Sequence, residues 1–245
     1  MNIDFKEILM CAEMSFYAYK SDKEILKKYP KAKIFTLKDT DSNCFVVTDS
    51  KTKKQYISIR GTSSGEDVKI DLDYLKVYNK KLGIYVHEGF NKAAEEIYNS
   101  ILNSLKRGYI IHCVGHSLGG ALSAILMMML YEDGFKLGQS YTFGQPKISN
   151  KKGSQKYKDL PIIRVINRGD PVPNLPPTTI FTWANKGIFR HFGETITLLE
   201  DGYSFSGEKR SASIWFSSFW AHLFNERVEH HFMKKYIEKL EKLVK

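Results

Sequence analysis

Cysteine is scarce in this chain: Cys11, Cys44 and Cys113 are the only three, odd in number and far apart. That pattern supplies neither a disulfide framework nor the paired spacing of a zinc site; no metal and, separately, no cofactor is expected. Long apolar runs are also missing. Nowhere do about 18 apolar residues follow one another, so no membrane-spanning helix is expected. Charges break up the opening Met1-Asn2-Ile3-Asp4-Phe5-Lys6-Glu7 where a secretory leader would be continuously apolar. The chain as given is therefore expected to be cytoplasmic, or secreted if an export leader has been removed.

Acidic residues are outnumbered, 27 against 37 Lys and Arg, for a net charge of +10. The lysine pairs at 27–28, 53–54, 80–81, 151–152 and 234–235 are spread along the chain. Nucleic-acid binding would call for clustered cations with interleaved aromatics in a recognisable module, and it is not expected here. A generally basic, solvated surface is the plain reading. Attraction to anionic lipid surfaces is the sharper one.

What the chain does have is core material: 42 % hydrophobic residues with 13 % aromatics over 245 residues. Disorder is not the default for such a composition, and residues 1–245 are expected to form one α/β domain.

The most informative stretch runs from Tyr109 to Tyr131. Residues 109–114 are short, apolar and β-branched, a buried strand. Residues 120–130 are rich in Ala, Leu and Met and free of proline, a helix apolar nearly all round whose methionines are packing. Between them lies Gly115-His116-Ser117-Leu118-Gly119. Gly-x-Ser-x-Gly on a strand-to-helix turn is a nucleophile elbow, which holds the serine in a strained conformation with its hydroxyl above the sheet edge. The Leu118 N–H, in the first turn of the helix, points to where an acyl oxyanion would form, and there the helix dipole favours negative charge.

The rest of the chain alternates helices and strands. Residues 4–19 show apolar positions at helical spacing, an amphipathic helix covering the sheet. A shorter helix is expected over 22–29, ending before Pro30. Three closely spaced strands follow at 33–37, 43–48 and 55–60, which implies antiparallel neighbours at one side of a sheet. The third ends in Arg60-Gly61-Thr62-Ser63, a turn that is also placed to offer a second oxyanion donor beside Leu118. A helix is expected from about 91 to 105, strands at 140–144 and 160–166, and a last helix over 232–244. This alternation argues for an α/β fold with an open, mostly parallel central sheet flanked by helices. Ligands bind beyond the carboxyl ends of the strands in such sheets, and Ser117, Gly144 and Asp170 all fall on that edge.

A serine hydroxyl needs a base to take its proton, and a carboxylate usually orients that base. The elbow's chain order is Ser, then Asp or Glu, then His. Asp170, after Arg164-Val165-Ile166-Asn167, is the best placed carboxylate, with a turn aspartate before Pro171 as its plain alternative. For the base, His230 and His231 precede the last helix and local physics does not separate them. His222 looks like part of an aromatic helical face.

These residues together resemble the class 3 (fungal-type) lipases of the α/β-hydrolase superfamily. The resemblance rests on Arg60-Gly61-Thr62, Asp71-Leu72, Val86-His87-Glu88-Gly89-Phe90, the Ser117 pentapeptide with Gly120, and Thr142-Phe143-Gly144-Gln145-Pro146. It continues through Arg164 to Asn167, Asp170-Pro171-Val172-Pro173, Leu175-Pro176-Pro177, His191-Phe192-Gly193 and His231 with Met233 and Tyr236. It implies Ser117 as nucleophile, Asp170 as orienting acid, His231 as base, and Thr62 with Leu118 as oxyanion donors. His87 and His191 match family positions of scaffold and pocket rim.

The resemblance implies a triacylglycerol lipase acting through an acyl-enzyme. A phospholipase A1 or short-chain carboxylesterase is the alternative among enzymes, and an inactive lipase-like lipid-binding protein the alternative outside them. One departure stands out. The segment 63–70, an apolar helical lid in members acting at oil–water interfaces, is polar and charged here, which argues against strong interfacial activation. Residues 214–224 are instead rich in aromatics, read as a helix packed on the core or as an acyl-pocket wall or lipid-contacting flap.

Overall fold

Strand β6, Ile110–His116, is buried from Ile111 onward, as a run apolar on both faces must be when helices cover both sides of its sheet. It lies near the middle of a sheet to which the described residues contribute nine strands. The computed structural model describes residues 3–61, 75–176, 186–206 and 228–244. Within these, β1 (Lys33–Leu37), β2 (Ser42–Asp49) and β3 (Lys54–Ile59) form an antiparallel meander. From β3 the sheet turns parallel through β6, β8 (Ser140–Phe143), β9 (Ile162–Asn167) and β10 (Glu194–Leu198). Two-residue β7 (Lys136–Leu137) also pairs with β6, and antiparallel β11 (Tyr203–Ser206) closes the far edge. This is the mostly parallel α/β sheet that the alternation predicts.

The two faces carry separate cores. On one side α3 (Glu88–Ile101) and α4 (Leu118–Glu132) pack Ala94, Ile97, Leu122, Ile125 and Leu126 against Ile57, Ile59, Ile111 and Cys113. On the other, α1 (Phe5–Tyr17) and the last helix, here α6 (Met233–Leu243), pack Ile8, Cys11, Tyr236 and Leu240 against Val114, Phe143, Val165 and Ile196. Asp4 caps α1 by accepting from the amides of Lys6 and Glu7, and α2 (Asp22–Lys28) opens on a capping box of Ser21 and Glu24.

One local expectation needs correction, and several short elements carry no sequence signal. The helix expected from 91 begins at Glu88 and ends at Ile101, followed by a 3-10 turn over Leu102–Ser104. The chain passes straight from a strand into it, with His87 as the N-cap. That strand, β5 (Ile84–His87), pairs with β4 (Lys76–Asn79) in a hairpin outside the main sheet. Each has four residues, too few for a period to show. The helix α5 (Lys151–Lys156) and strands β10 and β11 were likewise unread, being short and rich in polar residues.

Candidate active site

Ser117 sits between β6 and α4 with φ 58° and ψ −127°, a region that costs a non-glycine residue of order 1–3 kcal/mol and persists only when surroundings impose it. They do. A β-carbon on Gly115 would collide with the Gly119 carbonyl, and one on Gly119 with the Ile59 carbonyl. Both glycines are thus required by the close approach of α4 to β6 and β3. The Ser117 amide donates to the Phe143 carbonyl at 2.9 Å, tying the turn to β8. Leu118 is the first residue of α4, so its N–H has no acceptor within the helix.

Asp170 lies past the end of β9, buried to 5 % exposure. One carboxylate oxygen, Oδ1, accepts from the Val172 amide at 2.9 Å. The other, Oδ2, accepts twice, from His231 Nδ1 at 2.8 Å and from the Tyr236 hydroxyl at 2.5 Å. The loop beyond it is tethered: Lys147 Nζ donates to the carbonyls of Asn174 (2.7 Å) and Pro176 (3.1 Å), and His191 Nε2 donates to that of Pro173 (2.7 Å). Burial pulls Lys147 down to about 8, with the Arg190 charge adding to it, and holds His191 well below the ordinary histidine value.

His231 ends a 3-10 turn, Val228–His231, just ahead of α6 and is 1 % exposed. It is His231, and not the half-buried His230, that meets Asp170; the His230 ring lies against Gly169. With Nδ1 engaged by the carboxylate, the proton sits on Nδ1 and Nε2 is the free lone pair of the neutral ring. That Nε2 is buried and has no hydrogen-bond partner among the described residues. Its hydrogen bond to Ser117 is not formed, as is common for sites in which the bond tightens only in the substrate complex. Gly144, between β8 and this pair, has φ +57°, and a β-carbon there would lie 2.8 Å from Asp170 Oδ2 and from the His231 ring.

Sequence reasoning missed two polar partners. Tyr236 enters the sequence reading only through the family pattern, yet its hydroxyl donates to Asp170; a wholly buried tyrosine one turn into the helix after the base must place its O–H somewhere. Burial and the Asp170 charge hold its phenol well above the usual range, so it donates. The second is His116, the variable residue of the pentapeptide. Its Nε2 meets the His231 backbone carbonyl at 2.6 Å, and its Nδ1 the Tyr19 hydroxyl at 2.9 Å. His87, the expected scaffold histidine, is buried and stacks on Phe90 with centroids 3.9 Å apart. Neither of its ring nitrogens has a partner among the described residues. The expected Thr62, the polar segment 63–70, the aromatic segment 214–224 and His222 lie outside the described residues.

A sharply turned serine, a buried Asp–His pair and an open helix N-terminus gather at the carboxyl edge of a mostly parallel sheet, the arrangement of the α/β-hydrolase fold. The class 3 lipase model matches residues 56–180, and the chain belongs to that family. It is similar to a Rhizomucor miehei lipase, 33 % identical over 150 residues that cover 56 % of this chain and 41 % of that one. A Fusarium solani secreted mono- and diacylglycerol lipase is 29 % identical over 153 residues, covering 56 % of this chain and 44 % of its own length. The chain thus matches less than half the length of these curated relatives. The solved Rhizomucor miehei triacylglyceride lipase shares the fold, with a TM-score of 0.72 at 23 % identity over 94 % of this chain and 98 % of that one.

Proposed function

We propose that this chain is a serine carboxylic-ester hydrolase that cleaves acylglycerol esters. Ser117 Oγ attacks the ester carbonyl as His231 Nε2 takes its proton, and Asp170 holds the imidazole in the needed tautomer and balances the imidazolium. The N–H groups of Leu118 and Thr62 stabilise the tetrahedral oxyanion. His231 then protonates the departing alcohol, an acyl-Ser117 ester remains, and water activated by the same imidazole releases the fatty acid.

One observation carries this reading: His231 is locked to Asp170 through Nδ1 at 2.8 Å while its buried Nε2 is left unengaged among the described residues. The matches to lipases named for acylglycerols support the substrate class. The net charge of +10 supports transient contact with anionic lipid surfaces. The Fusarium solani relative is named as secreted, which supports an exported protein; the cytoplasmic expectation gains nothing from the comparisons. Among the described residues no helix is long and apolar enough to cross a membrane.

A fluorophosphonate probe and a p-nitrophenyl ester series from two to sixteen carbons test the proposal. Wild-type protein should be labelled and should hydrolyse the esters, and Ser117→Ala should lose the label and about 10³-fold or more in rate. Absence of labelling, or labelling that survives the substitution, leaves an inactive lipid-binding protein instead. A preference for the shortest soluble esters would move the assignment to a carboxylesterase.

A further inference from the structure

The histidine inside the nucleophile pentapeptide touches the candidate base rather than solvent. His116 is 5 % exposed, and its Nε2 lies 2.6 Å from the backbone carbonyl of His231. A carbonyl can only accept, so Nε2 carries the proton and Nδ1 is a lone pair in the neutral ring. Tyr19, which follows α1, meets that lone pair with its hydroxyl at 2.9 Å, and so donates. The two imidazoles face each other, centroids 4.4 Å apart and planes 33° from parallel. The Tyr236 ring lies edge-on to His116 with centroids 6.0 Å apart. Among the described residues no carboxylate or ammonium group touches the His116 ring.

Granting the catalytic roles assigned above, we infer that His116 is a positioning residue for the base: its Nε2–H fixes the main chain of His231, and its uncharged ring forms the surface on which the imidazolium develops. The chain pins the base from two sides, because Asn167 Nδ2 donates to the adjacent His230 carbonyl at 2.8 Å. His116 is thereby coupled to both partners at once, being the residue directly before Ser117 and in contact with His231. Misplacing a catalytic group by about 1 Å costs on the order of 100-fold in rate, so a bond that sets the base relative to the nucleophile acts on turnover. Neutrality has its own reason. Burial, then the neighbouring His231, hold the His116 ring well below the ordinary histidine value. A cation stacked on the base would oppose the charge that His231 must take up.

Three proteins on a soluble p-nitrophenyl ester decide it: wild type, His116→Phe and His116→Gln. Phenylalanine keeps an aromatic ring and removes the donor; glutamine returns an N–H at the distance of Nε2 and cannot charge. His116→Phe should lose about 10- to 100-fold in kcat with KM within about twofold. His116→Gln should recover to within about fivefold of wild type. A kcat for the Phe variant within twofold of wild type, or a folded Gln variant no better than Phe, overturns the inference. A second measurement does not depend on either variant folding. Imidazole 15N shifts of the wild type should show residue 116 neutral and protonated at Nε2 from pH 5 to 8; the other tautomer, or a titration in that range, overturns it as well. If wild-type protein cleaves no ester, the functional reading fails on its own, and the 15N spectrum still decides whether the clamp exists.

Discussion

Tyr236 and His231 donate to the same oxygen of Asp170, at 2.5 Å and 2.8 Å. The phenol and the imidazole reach it from one short stretch of chain, the 3-10 turn and the first turn of α6. The carboxylate is thereby held by the element that also carries the base.

Replacing Tyr236 with phenylalanine removes one of the three donors that the described residues give a buried carboxylate, and leaves the packing of α6 intact. Hydrogen bonds to charged groups contribute about 1.5–3 kcal/mol, and the variant should lose that much in denaturant unfolding. Because Asp170 Oδ2 then has only the imidazole to orient it, kcat should fall by about tenfold with little change in KM.

Gly144→Ala should be far more damaging than its size suggests. The residue must keep φ +57°, and its β-carbon must share space with Asp170 Oδ2 and the His231 ring. We expect fluorophosphonate labelling and esterase activity to fall together by about 100-fold or more. Gly134→Ala is the control. Gly134 has φ +71° with nothing within 4 Å of a β-carbon, so that change should cost about 1 kcal/mol of stability and leave activity alone.

His87 should make the fold sensitive to acid. Burial, then the charge of Lys76, lower its value from 6.5 to about 4. Between those two values the unfolded chain binds a proton that the folded chain refuses, so stability falls as pH is lowered from about 6.5 to about 4, by up to about 3 kcal/mol. His87→Phe removes this titration and keeps the stack on Phe90. The thermal midpoint of the variant should exceed that of wild type at pH 4.5 and show a flatter pH dependence below 6.5.

Much of this architecture was legible in the sequence where the periodicity was long or the chemistry unusual. The amphipathic α1, the meander β1 to β3 and the β6–α4 elbow were all readable from residue patterns, because apolar spacing and glycine placement there are local facts. The hairpin β4–β5 was not, since Val77, Ile84 and Val86 alternate over too short a span to distinguish a strand from a loop. Within the site, Ser117 was marked by its pentapeptide and Asp170 by its place after a strand. The choice between His230 and His231 depended on resemblance, because which of two adjacent side chains turns inward at a 3-10 corner is settled by tertiary packing. Tyr19 and His116 meet across 97 positions of chain, and a tyrosine two residues beyond a helix end carries no local sign of such a partner.

The cysteines bear on how this protein can be handled. Cys11, Cys44 and Cys113 are all buried, at 0 %, 2 % and 0 % exposure, and desolvation pushes each thiol well above its ordinary value. None offers a reactive thiolate in the native state. Maleimide dyes or spin labels should therefore ignore the native chain, and one cysteine introduced on the exposed face of α6 would report on motion near the base without any background to engineer away.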